Sequence, residues 1–237
     1  MDNINDRLIQ AIVIGDRLLV TELLAQGADA STSGIKAFGG CNTALMWAAG
    51  EGYTEIAQML LDQGAAIDPA NATGYTAMMY AAEADKPEMV ALLLERGAVI
   101  TDCNRYKETI LMAMARHGQT DVVQKLVALG AEIDAVNWIG DTALYLALEK
   151  GHSYTVRALA QLGANVNTIN AGGWTPIMMA SAIGDLETMT ILLEQGVDIS
   201  LRNKWGATAL SEAQQSRRSK EAVALLEDFE RRGNQAG

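Results

Sequence analysis

The residue types that most often do chemistry are few in this chain of 237 residues, and their spacing does not assemble a site. The two histidines, His117 and His152, stand 35 residues apart, and neither has a cysteine or second histidine at the short spacing a zinc ion takes. The two cysteines, Cys41 and Cys103, make no disulfide framework and fit a reducing cytoplasm, where a small buried or half-buried thiol is the expected role of each. There is no phosphate-cradling GxxxxGK loop, no HExxH and no GxSxG. The glycine pairs beginning at Gly39 and Gly172 fall in turns, and the charged neighbours Glu149 with Lys150 and Glu194 near Asp198 read as solvated faces. The expectation is therefore no catalytic group, no metal and no cofactor.

Composition narrows the partners. An apolar share of 49% with 20% charged residues suits an ordinary globular protein with a substantial core. Twenty-nine acidic against eighteen basic residues give a net charge of −11, a field that repels phosphate backbones and anionic membrane surfaces. Nucleic acid is excluded as an expected partner. The opening MDNINDRLIQ carries acids where a secretory signal carries bases, and its apolar run from Ala11 to Ile14 is too short for a signal core. No run approaches the roughly 18 apolar residues of a membrane helix. A cytoplasmic location without membrane insertion follows as an expectation.

What must position any functional side chain is a repeat. Threonines recur every 33 residues: Thr43 (TALMWAA), Thr76 (TAMMYAA), Thr109 (TILMAMA), Thr142 (TALYLAL), Thr175 (TPIMMAS) and Thr208 (TALSEAQ). Glycines follow 21 residues after the first five, at Gly64, Gly97, Gly130, Gly163 and Gly196, each preceded by an apolar helix end such as Leu60 with Leu61 or Leu93 with Leu94. Each unit predicts two short helices. The first begins after the threonine and is rich in small Ala48 and Ala49, or Ala81 and Ala82. A break follows at Gly52, Gly118, Gly151 or Gly184. Acids early in the second helix (Glu55, Glu88, Asp121, Glu187) suit its N-terminal dipole, Pro87 suits its first turn, and the later glycine suits its C-terminal cap.

These openings, the leucine pair, the G-A-x-(V/I)-(N/D) ending and the 33-residue spacing resemble the ankyrin repeat family, in the style of bacterial members, from about Asp6 to Arg232. The resemblance implies an all-α solenoid of helix-turn-helix units joined by β-hairpin-like turns. One domain over 1–237 is expected: an N-terminal capping repeat at 6–42 with a four-residue insertion, internal repeats at 43–75, 76–108, 109–141, 142–174 and 175–207, a C-terminal cap at 208–232 and a frayed tail at 233–237. Polar Gln214, Gln215, Arg217 and Glu221 suit the exposed face of that last unit.

Departures from the family pattern carry expectations of their own. At the position after each threonine, proline stands only at Pro176, with Ala44, Ala77, Ile110, Ala143 and Ala209 in the other repeats, and the motif histidine is replaced by Met46, Met79, Met112, Tyr145 and Met178. Methionine cannot reproduce the threonine to histidine hydrogen bond, so apolar packing is expected in its place. Lys107 stands where other repeats have Gly74, Gly140, Gly173 and Gly206. If that position needs positive φ, the third finger carries strain of about 1 kcal/mol.

Ankyrin proteins, the resemblance implies, meet partners through turn tips and the exposed side of the first helices. The tip positions here hold Tyr75, Arg105, Tyr106, Val136, Trp138, Ile139, Ile169, Trp174, Lys204 and Trp205; helix positions add Arg116 and Glu149, with Glu51, Glu83, His117, Lys150 and Ile183 beside them. Stacked, they predict an aromatic and aliphatic stripe edged by charge, of the residue types that most often anchor interfaces. Trp174 and Trp205 have a second reading, packing against adjacent turns. The expected function is a non-catalytic protein-protein interaction module, a scaffold or adaptor that is monomeric alone and binds a protein partner. Two other readings stay open: an inhibitor or immunity-like regulator of a specific enzyme acting through the acidic surface, and an effector acting on host proteins.

Overall fold

A computed structural model describes residues 3–34, 41–101 and 103–235. Fourteen helices and no strand occur among them, in seven pairs. The first members are α1 (Ile4–Val13), α3 (Ala44–Glu51), α5 (Ala77–Glu83), α7 (Ile110–Arg116), α9 (Ala143–Glu149), α11 (Pro176–Ile183) and α13 (Ala209–Gln215). Their seconds are α2 (Arg17–Ala25), α4 (Thr54–Asp62), α6 (Pro87–Glu95), α8 (Thr120–Ala128), α10 (Ser153–Gln161), α12 (Leu186–Glu194) and α14 (Ser219–Gln235).

The periodic threonine starts each first helix from α3 onward. Its hydroxyl accepts the backbone amide three residues on, at 3.2 Å from Met46 to Thr43, 3.3 Å from Met79 to Thr76 and 3.4 Å from Met178 to Thr175. Such a cap is worth about 1 kcal/mol and satisfies one of the orphan donors of a helix start. Packing alone does not replace the missing histidine in the first of these repeats: the Thr43 amide donates to the Met46 thioether Sδ at 3.3 Å. In the last, the Thr208 amide donates to Ser211 Oγ at 2.8 Å. The G-A ending has an equally local cause. Gly64 and Ala65 donate their amides to Leu61 and Leu60 at 3.0 and 2.9 Å, closing the carbonyl end of α4, and Gly97 with Ala98 does the same for α6.

The chain forms two compact units, 1–114 and 115–237. In the first, α1 packs on α3 and α3 on α5, while α2, α4 and α6 follow one another along the second layer. Between the layers lie Met46, Ala48, Ala49, Leu60, Met79, Ala81, Ala82 and Leu93, all buried. The second unit repeats the scheme, α9 on α11 on α13 and α8 on α10 on α12 on α14, around Leu144, Ala147, Val156, Leu159, Met178, Ala180 and Leu192. Alanine in the first helices permits the close approach, and leucine in the second supplies most of the apolar area removed from water.

Two helix ends lie outside the expected bounds. Helix α1 starts at Ile4, capped by the Asn3 side chain, two residues before the expected start at Asp6. Helix α14 runs on to Gln235, and residues 236–237 of the expected tail lie outside the described residues. The hairpin-like turns between repeats are closed by bonds such as the Asn71 amide to the Tyr75 carbonyl, with isolated bridges of Ser33 with Thr43 and Cys103 with Thr109 among the described residues. Residues 35–40, within the segment expected to hold the four-residue insertion, are likewise outside the described residues. In α13 and after it, Gln214, Gln215, Arg217 and Glu221 are exposed, as a terminal face requires.

Candidate functional site

The fingers between repeats are built on an asparagine ladder. Asn71, Asn104, Asn137, Asn170 and Asn203 recur at the same 33-residue interval, and each Oδ1 accepts the amides two and four residues ahead. For Asn137 the donors are Ile139 at 3.1 Å and Asp141 at 2.9 Å. One buried side chain thus closes the turn, and the residues between the two anchor points project from it. The ladder is legible in the sequence, since its period is that of the threonines.

Neighbouring fingers within a unit are tied as well. Asn71 Nδ2 donates to Asn42 Oδ1 at 2.8 Å and the Arg105 amide to the Thr73 carbonyl at 3.2 Å. In the second unit Asn170 Nδ2 donates to Asp141 Oδ1 at 3.0 Å and the Ala171 amide to the Ile139 carbonyl at 2.8 Å. Gly140 has two reasons to be glycine: its φ is +81°, and a Cβ there would lie 2.9 Å from the Ala171 nitrogen. Lys107, at the same register, is held at φ +58°, so the expected strain is present.

On this frame the tip side chains divide. Trp138 is 68% exposed, Trp205 74% and Ile169 54%, with Val136, Ile139, Tyr106, Arg105 and Lys204 also in contact with solvent. The Arg105 guanidinium sits 4.8 Å over the Tyr106 ring, a cation on a π face that presents the pair as one surface. Trp174 and Tyr75 are half-buried instead. The Trp174 ring covers Gly172, and Tyr75 packs at 46° against Tyr80 with centroids 5.3 Å apart. Of the two tryptophans with two readings, Trp174 packs on its own turn and Trp205 does not. On the helix face Arg116 and His117 are half-buried, and Glu149, 3.9 Å from Lys150, is exposed with Ile183.

Behind Trp138 and Ile139 sits a carboxylate taken out of water. Asp141 is 5% exposed. Burial pushes its pKa up, opposed by the hydrogen bond from Asn170; the Glu149 charge raises it further and the Arg116 charge lowers it. Burial also raises the neighbouring Tyr145 phenol, with smaller pushes from Asp141 and Glu149. His152 lies against Gly118 with Nε2 3.0 Å from the Arg116 carbonyl, so its ring closes a turn. Among the described residues no group of three His, Cys, Asp or Glu side chains is arranged to hold a metal ion, and no helix is long and apolar enough to cross a membrane.

The sequence model described as "Ankyrin repeats (3 copies)" matches residues 8–104, 99–170 and 163–233, and the chain belongs to the ankyrin repeat family. The crystal structure of the human ASB11 ankyrin repeat domain superposes with a TM-score of 0.80, covering 92% of this chain and 96% of that one at 24% identity, a likeness of fold. No curated protein matches the sequence. The fold class is thus that of the ankyrin solenoid, and ankyrin repeats generally serve as protein-protein interaction modules, typically without catalysis.

Proposed function

We propose that the protein is a non-catalytic adaptor, monomeric and cytoplasmic, that holds a partner protein on its fingertips. The observation that carries this reading is the set of apolar side chains left in water at Val136, Trp138, Ile139, Ile169 and Trp205 on turns whose backbone is fixed from within. Nothing in the turn's own hydrogen bonding calls for an apolar side chain at those positions. A tryptophan carried on a backbone fixed before binding spares the cost of ordering the turn, and such residues carry about 2 kcal/mol or more each at interfaces. In the same unit, Lys204, Arg116 and Glu149 supply charge, and Trp174 packs on its own turn; in the other unit, Arg105 with Tyr106 and the half-buried Tyr75 are fingertip residues of the same kind. The test is affinity capture from native lysate with the wild type and with Tyr106, Trp138, Trp174 and Trp205 changed to alanine. Loss of the captured protein with unchanged far-UV circular dichroism is expected; capture at wild-type level removes the fingertips as the site.

A further inference from the structure

A cleft of about 360 Å³ opens between α3 and α5 on the first-helix face of the first unit. Asn42, Met46, Trp47, Gly50, Glu51, Tyr80, Glu83 and Ala84 line it, with two aromatic rings and the Glu51 carboxylate among its walls. Its size is at the lower end for ligand pockets, suited to one long side chain more than to a cofactor. Two features show that it is formed in advance. Tyr80 is fixed from both sides, its ring against Tyr75 and its hydroxyl donating to Asn42 Oδ1 at 3.2 Å while accepting from Asn71 Nδ2 at 3.0 Å. Gly50 then leaves the space empty. It sits inside α3, where glycine costs about 1 kcal/mol relative to alanine, and its φ is not positive. A Cβ there would make ordinary contacts of 3.8 and 3.9 Å with Tyr80, so neither backbone nor packing demands glycine. Other repeats place Glu83, Arg116, Glu149, Ala182 and Gln215 at this register. What the glycine provides is the opening between Trp47 and Tyr80.

We propose that this cleft receives an arginine side chain of the partner protein, a claim that rests on the protein-binding reading above. A guanidinium is planar, stacks on indole and phenol faces, and pairs with carboxylates through two parallel hydrogen bonds, which matches the chemistry of the walls better than the point charge of lysine does. The acidic net charge of −11 draws the same kind of partner by long-range attraction.

The probe is N-acetyl-arginine-amide, titrated into the full chain while the Trp47 indole resonance, identified by its loss in Trp47→Phe, is followed by NMR. A saturable shift is expected that the neutral isostere N-acetyl-citrulline-amide does not produce. Glu51→Gln should weaken the binding about tenfold, the effect of losing one charge-assisted pair. Gly50→Gln, which fills the cleft with the residue that α13 carries at this register, should abolish the shift while leaving the melting temperature equal or higher. Equal shifts with the citrulline probe, or full binding by Gly50→Gln, overturn the proposal. Neither result touches the fingertip reading, because Trp138 and Trp205 lie in the other unit and their capture experiment does not use this probe.

Discussion

Three residues are held against their own preference, and each gives a measurable consequence. Lys107 occupies a left-handed turn position that glycine fills at Gly74, Gly140, Gly173 and Gly206. Lys107→Gly should gain about 1 kcal/mol, a rise of about 2–4 °C in melting temperature for a chain of this size. Asp85 is also left-handed, at φ +53°, but aspartate tolerates that region better, so Asp85→Gly should gain less. Asp141 is strained electrostatically. Burial raises its folded pKa above the unfolded value, so its ionised form lowers stability at neutral pH, and that penalty fades as pH falls through the folded pKa and below the ordinary carboxylate value. Asp141→Asn keeps an acceptor for Asn170, as Asn42 accepts from Asn71 at 2.8 Å. The variant should melt higher than wild type at pH 7, with the difference shrinking toward pH 4. A difference that is constant with pH would show that burial of the charge is not the cause.

At the scale of the element, the sequence was legible wherever the helix period and the repeat period agree. Thr43 through Thr208 mark helix starts, Gly64 and Ala65 mark a helix end, and both signals depend only on residues a few positions away. The fingers were less legible because their order comes from one side chain reaching across the turn. Trp174 and Tyr75 looked like exposed tips by position, yet Gly172 gives the indole a surface to cover and Tyr80 gives the phenol a ring to meet. The Met46 sulfur acting as acceptor was hidden for a similar reason, since only the backbone geometry shows it. The finger account predicts that Asn137→Ala, which removes two bonds to backbone amides in a buried turn, costs about 2 kcal/mol or more. Amide hydrogen exchange at Ile139 and Asp141 should rise beyond the global change. Unchanged protection there would mean that the turn holds its shape without the asparagine.

For the molecule as a whole, family and fold account for the buried residues and leave a particular set of surface residues unexplained. The core asks for Ala48, Leu60, Met79 and their counterparts, and the turns ask for asparagine and glycine. Neither requirement asks for Trp138, whose ring is mostly in water in a protein with four tryptophans in all. The sequence register placed that residue on a finger; only the structure separated it and Trp205 from Trp174, which has a packing role. That separation makes the functional claim sharper than a count of aromatic tips. The most direct measurement is the affinity of the captured partner for Trp138→Ala beside Trp174→Ala, each checked by circular dichroism. The account predicts a loss of about 30-fold for Trp138→Ala, the equivalent of about 2 kcal/mol at an interface anchor, and a smaller loss for Trp174→Ala. Wild-type affinity in the Trp138→Ala protein would contradict it.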